Sequence, residues 1–171
     1  MSRLTRRSLL GGAALLVLPT HQEAVAAQAT PVPGSRDVGS GVPVSVLIQN
    51  SGTESDRLTG AISPVAQQIA LHATHLEHGQ RVMRQTSDIV IPPGKVISLE
   101  PGALHLMLLG LRQSLVQGQV FPLTLQFANV GDVQVDVRVR RRQDAAGVTQ
   151  TPPVVAGSLT ILHASAPPAP V

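Results

Sequence analysis

Residues 133–140 read Val133-Gln134-Val135-Asp136-Val137-Arg138-Val139-Arg140. Side chains of an extended chain point alternately to its two faces. The four valines therefore share one apolar face, while Gln134, Asp136, Arg138 and Arg140 share a wet one. A helix would scatter the same valines around its circumference, so this stretch is a strand with one side buried. Phe121, Leu123, Leu125 and Phe127 repeat the pattern against Pro122, Thr124 and Gln126. Val44, Val46 and Ile48 alternate likewise and stop at Asn50-Ser51-Gly52. Leu58 to Leu76 is apolar but interrupted by Pro64, and reads as strands and bends. Ile89-Val90-Ile91 ends at Pro92-Pro93-Gly94, Val96 to Leu99 ends at Pro101-Gly102, and Leu104 to Leu111 follows. Roughly seven short strands at about ten-residue spacing predict an all-β antiparallel sandwich or barrel.

Composition narrows the function. Hydrophobic residues make up 43% of the 171 positions and charged residues 13%, which allows a buried core. With two Phe and no Tyr or Trp, that core is aliphatic. Of the formal charge of +3, Arg3, Arg6, Arg7 and Glu23 lie in the first 27 residues, leaving +1 for the rest. That is too little for a nucleic-acid-binding surface. The wet-face run Arg138, Arg140, Arg141 and Arg142 reads as a solvated strand edge that discourages aggregation, rather than as an anion-seeking patch. The absence of cysteine excludes disulfides, thiolate metal sites, cysteine nucleophiles and blue-copper centres.

The chain divides into four parts. Residues 1–27 read as an export signal: Thr5-Arg6-Arg7-Ser8 opens it, Leu9 to Leu18 is apolar, and Ala24-Val25-Ala26-Ala27 suits cleavage. The arginine pair points to the twin-arginine route, and the apolar run falls short of the roughly 20 residues a membrane span needs. No later segment is long and apolar enough to span. The expected location is outside the cytoplasm, in the periplasm or on the outer face of the cytoplasmic membrane. Residues 28–41 are rich in Pro, Gly and Ser and read as a linker. Residues 42–142 carry the β-domain. Residues 143–171 read as a loose extension with a disordered Pro/Ala-rich end and a possible extra strand at 158–162.

Without cysteine, the soft metal donors are histidine and methionine. Beyond Met1 the methionines are Met83 and Met107, and both fall among histidines. His105 and Met107 lie two apart on one alternating strand and so share a face. His72 lies on an earlier apolar segment, with Met83 eleven residues later across a turn containing Gly79. Two imidazoles and two thioethers form a donor set that favours Cu(I) over Zn(II), Mg(II) or Ca(II). Thioethers also hold Cu(I) in an oxidising compartment without the risk of disulfide formation. Taken singly, each residue would be read as packing. His75 and His78 add two further imidazoles, and two readings stand: an auxiliary Cu(II) or Zn(II) site with His72, or a polar loop around Gly79.

The spacing His72-x10-Met83-x21-His105-x-Met107 resembles the signature of the periplasmic copper chaperone family PCu(A)C. Ser55-Asp56-Arg57-Leu58, Ile62-Ser63-Pro64-Val65-Ala66, Ile91-Pro92-Pro93-Gly94, Pro101-Gly102-Ala103-Leu104-His105-Leu106-Met107 and Phe121 to Phe127 are similar to further elements of that family, covering about residues 44–140. The resemblance implies a cupredoxin-like Greek-key sandwich binding Cu(I) through His72, Met83, His105 and Met107. It also implies delivery toward the copper centre of cytochrome c oxidase, by way of an oxidase subunit or its assembly factor. The chain departs from the pattern at Thr74 and Arg81, where relatives often carry extra methionines, and before Val44, where no opening strand is recognisable. No catalytic constellation competes with this reading: Ser114 lacks a nucleophile context and the carboxylates are scattered. The alternatives are a copper buffer without a dedicated acceptor, or a cupredoxin-like binding module that has lost copper transfer.

Overall fold

The computed structural model describes residues 29–31, 41–141 and 152–171. The expected export signal, most of the linker, Arg142 and residues 143–151 lie outside them. Eleven strands are formed among the described residues: β1 Ala29–Pro31, β2 Val42–Asn50, β3 Asp56–Ile62, β4 Ala66–Glu77, β5 Gln80–Ile91, β6 Val96–Leu99, β7 His105–Leu111, β8 Val120–Phe127, β9 Asp132–Val139, β10 Val154–Ala156 and β11 Leu159–Ala166. The fold is all-β and mostly antiparallel. Its strands close a circuit, β2-β7-β4-β5-β3-β8-β9-β11 and back to β2, in which β9–β11 alone is parallel. A closed circuit leaves few backbone edges unpaired. Strands β1, β6 and β10 pair onto it from outside.

The alternating stretches supply the core. Val133, Val135 and Val137 of β9 pair with Leu125, Leu123 and Phe121 of β8 across an antiparallel ladder, and these six are buried together with Val139 and Phe127. Val44, Val46 and Ile48 of β2 and Leu106 and Leu108 of β7 join them. Full burial of each such side chain contributes about 1.5–3 kcal/mol, so the core outweighs any single surface pair.

Strand β5 pairs with β4 through residue 86 and with β3 from Ile89 onward, so one strand turns the corner between two parts of the wall. At that corner Asp56, at the head of β3, is buried. Its Oδ1 accepts from the Arg57 and Asn129 amides at 2.7 and 2.9 Å, and its Oδ2 accepts from the Val130 amide at 3.1 Å. The Asp-Arg-Leu element thus ties β3 to the β8–β9 turn.

The C-terminal segment carries the extra strand expected near 158–162, but longer than expected, and its end is not the loose extension expected of it. Strand β11 runs for eight residues to Ala166, inserted between β2 and β9, with a bulge between Ile161 and His163. Leu159, Ile161, Ala164 and Ala166 enter the core. The end is tied as well: Leu115 and Ala169 exchange two backbone hydrogen bonds, at 2.8 and 3.0 Å. The backbone ladder supplies what a composition of Ala, Ser and Pro does not advertise. Nor is the end of β9 an edge, because Arg138 and Val139 pair with Ser165 and Ala166.

Candidate metal centre

The face of β4 and β7 turned away from the core carries the candidate ligands. Leu71, Leu106 and Leu108 point into the core, which turns His72, His105 and Met107 outward. Register then brings the two histidines together: His72 pairs directly with His105, and Ala70 pairs with Met107. The imidazole centroids lie 5.4 Å apart with the ring planes inclined at 67°.

The hairpin between β4 and β5 places the fourth residue. Glu77 pairs with Gln80 across a two-residue turn whose central residues, His78 and Gly79, have φ of 51° and 81°. Positive φ at both positions is the mark of a type I′ turn, which matches the twist of the flanking strands. Counting back from that turn, Thr74 stands opposite Met83 and His72 opposite Gln85. Met83 therefore shares the outward face with His72, displaced by two residues along the strands. Met107 is displaced by two residues in the opposite direction. The loop ahead of His105 is fixed by its own backbone: Gly102 takes φ 97°, the Ala103 amide donates to the Glu100 carbonyl, and the Ala103 carbonyl accepts from the Thr74 amide at 3.1 Å.

Burial grades across the site. His105 is 0% and His72 4% exposed, Met107 is half-buried, and Met83 is 40% exposed. The Met107 thioether lies under Gly41, where an added Cβ would stand 2.7 Å from its Sδ. Only a glycine lets the chain pass so close.

Buried polar atoms ordinarily have hydrogen-bond partners. Here Nδ1 of His72 and both ring nitrogens of His105 are buried with none. Burial pushes both imidazoles below their usual pKa of 6.5, and the neighbouring His72 lowers His105 as well. The Ala103 carbonyl, near the His105 ring but outside hydrogen-bonding geometry, works weakly the other way. Both rings are thus held neutral with lone pairs free, the state that coordinates a metal. A ring centroid sits about 3 Å from an ion its nitrogen holds at about 2 Å, so two rings sharing one ion stand about 5–6 Å apart. The observed separation fits.

The additional histidines do not join. His75 is an odd number of residues from His72 and so faces the other side of β4, while His78 is consumed by the turn. Among the described residues no three of His, Cys, Asp and Glu cluster to hold a metal, and the auxiliary imidazole site is not formed. Glu77 on that hairpin instead accepts both arms of Arg84, at 3.1 and 3.0 Å. Two neighbours of the site went unflagged in the sequence. Gln85 was within reach by counting back from the Gly79 turn; the approach of Gly41 to Met107 left no signal.

The fold is thus an all-β, mostly antiparallel domain that sets a buried imidazole pair and two thioethers on one face of β4, β5 and β7. Residues 21–139 match the family described as "Putative lipoprotein LpqE-like", and the chain belongs to that family. It is similar to the "Putative lipoprotein Lxx21020" of Leifsonia xyli subsp. xyli, at 34% identity over 94 residues, covering 54% of this chain and 57% of that protein. The chain thus spans little more than half the length of that relative. Among solved structures it is similar to the apo PCuAC domain from PmoF1, with 21% identity and a TM-score of 0.49 over 67% of this chain and 89% of that one. The copper-bound PCuAC domain from PmoF2 gives 23% and 0.48 over 63% and 80%. Apo-DR1885 from Deinococcus radiodurans gives 20% and 0.46 over 82% and 96%.

Proposed function

We propose that this protein carries Cu(I) outside the cytoplasm, holding it with His72, His105, Met83 and Met107 and passing it to an acceptor protein. The observation that carries the reading is the buried pair His72 and His105, facing each other with Nδ1 of His72 and both ring nitrogens of His105 lacking a hydrogen-bond partner among the described residues. Two thioethers on the same face make the donor set soft and uncharged, which suits a monovalent soft cation. The resemblance of the His-x10-Met-x21-His-x-Met spacing to the PCu(A)C signature supports the same four residues. Neutral ligands release copper more readily than a thiolate cage, as a carrier requires.

The acceptor we assign to this carrier is the copper centre of a respiratory oxidase, reached through an oxidase subunit or its assembly factor. A role in transfer rather than catalysis is supported by the neutral, soft donor set of the candidate site. The export-signal reading of residues 1–27 and the lipoprotein description of the family support a location on the outer face of the membrane. None of the 171 residues is a cysteine, so no thiol in this sequence can receive a lipid.

The test is an anaerobic Cu(I) competition titration of the chain beside Met83→Leu/Met107→Leu, which keeps apolar volume and removes both sulfurs. The parent should bind a single Cu(I), and the folded double variant should lose it. Equal binding by the two, or binding by neither, would show that Met83 and Met107 are packing residues.

A further inference from the structure

Across the outward face, beyond the histidine pair, the sheet continues from β7 through β2 and β11 to β9. Pro43 of β2 pairs with Met107, Ser45 pairs with Ser165 of β11, and Ser165 pairs with Arg138 of β9. A cleft of about 210 Å³ opens on this stretch, lined by Ser45, Ser165, Arg140 and Arg141 with apolar walls that include Pro43 and Pro101. A single water needs only about 10–15 Å³ of such space, so the cleft accepts a small organic molecule.

Among the described residues the arginines at its rim meet no carboxylate, the ion pairs being Arg57–Asp88 and Arg84–Glu77. The partner of Arg140 is the neutral His163 ring. The Nε of Arg140 is buried without a hydrogen-bond partner. One of its terminal nitrogens is pressed against the His163 ring, whose Nε2 lies 3.1 Å from the Ser165 hydroxyl. His163 is no counter-ion: burial lowers its pKa, and the adjacent Arg140 charge lowers it further. The pair leaves an uncompensated, preoriented positive charge over a cleft with two hydroxyls.

We propose that this cleft is a carboxylate-binding site, in which Arg140 and Arg141 take the ligand's carboxylate, Ser45 and Ser165 donate to its oxygens, and the proline walls take a short aliphatic stem. A guanidinium fork matches a carboxylate in two parallel N–H···O bonds, a geometry that favours this planar anion over a spherical one. The site stands independently of the copper reading, since none of its residues is a candidate ligand. The carboxylate comes either from a free short-chain acid or from the C-terminus of a peptide, and both present the same group.

The experiment is calorimetric titration of the full chain, without copper, at low ionic strength. The probes are sodium isovalerate, sodium chloride, and a pentapeptide ending in valine as free acid or as amide. Isovalerate or the free-acid peptide should bind saturably while chloride and the amide do not. Whichever of the two binds more tightly identifies the source. Arg140→Gln should weaken that binding about tenfold or more, as expected for loss of a charge-assisted hydrogen bond. Because Arg140 touches His163, Arg141→Gln provides an exposed second variant whose folding is not at stake, and it too should weaken binding. Absence of saturation, equal responses to chloride and isovalerate, or undiminished binding in a folded Arg141→Gln/Ser165→Ala variant would overturn the proposal.

Discussion

Asp56 and His105 are polar side chains buried to nearly the same depth, 3% and 0% exposed, yet the fold treats them oppositely. Each carboxylate oxygen of Asp56 is engaged, with three backbone amides donating to the pair. Among the described residues neither ring nitrogen of His105 has a partner in hydrogen-bonding geometry. Both residues sit in stretches that resemble the same family, so resemblance alone would rank them together. Satisfaction separates them: a buried group whose hydrogen bonds are complete stabilises the fold. A buried group left incomplete lowers stability and persists where something outside the fold completes it. On that criterion the Asp-Arg-Leu element is scaffold, and the histidine pair, the one place among the described residues where two such rings face each other, is where the proposed copper site would be completed.

The largest effect should fall on the satisfied member. Asp56→Ala strands the Asn129 and Val130 amides that hold the β8–β9 turn against β3, and should cost about 3 kcal/mol, with loss of a charged acceptor dominating. Urea unfolding reads this as a lowered midpoint at unchanged slope. The fraction that remains folded should bind Cu(I) like the parent, since the turn is remote from β4 and β7. A loss below about 0.5 kcal/mol would mean that the turn holds itself and that satisfaction does not mark scaffold.

How much of this could be seen beforehand follows from what a one-dimensional pattern encodes. The alternation in Val133–Val139 and Phe121–Phe127 reports face, and the structure buries those residues. The same rule placed His105 and Met107 on one side of β7. Register is different, because pattern along one strand does not say which residue of another strand stands opposite. That His72 meets His105, and that Thr74 rather than His72 stands across from Met83, depends on a I′ turn at His78-Gly79 and on the β4–β7 ladder. The eight-residue length of β11 was hidden for another reason: Ala164, Ser165 and Ala166 have little strand preference of their own and are held by β2 and β9. Asp56 was legible only as a motif letter, since two of its three partners, Asn129 and Val130, lie more than 70 residues away.

A smaller effect, of the opposite sign, is expected at the unsatisfied member. His105→Leu removes two orphaned nitrogens and fills similar space with an apolar side chain, so it should stabilise the copper-free protein by about 1 kcal/mol while abolishing Cu(I) binding. Its pH dependence should change too. The folded-state pKa of His105 lies below its unfolded value of 6.5, so the unfolded chain binds more protons in the window just under 6.5. Parent stability therefore falls as pH drops through that window. The His105→Leu protein should lose stability less steeply, with His72 and His163, also lowered by burial, retaining the rest of the slope. Unfolding midpoints measured on either side of 6.5 decide this. A destabilised His105→Leu protein with an unchanged slope would place His105 with Asp56 as scaffold.

The smallest effect on stability, and the sharpest on the copper reading, belongs to Met83. At 40% exposure its side chain gives up little burial on replacement, so Met83→Leu should shift stability by less than about 0.5 kcal/mol. Its Cu(I) affinity should nonetheless fall about tenfold or more, the loss of one soft ligand being decoupled from packing. Met107 cannot be separated so cleanly, because its thioether is wedged under Gly41 and a branched leucine must be accommodated there. The contrast between the two thioethers bears on transfer. In the proposed carrier an acceptor would enter the coordination sphere before the ion leaves, and Met83 is the candidate donor it could reach while His72 and His105 stay buried. Met83→Leu with parental Cu(I) affinity would remove the exposed arm of the site, leaving His72, His105 and Met107 as the full donor set and closing that route of exchange.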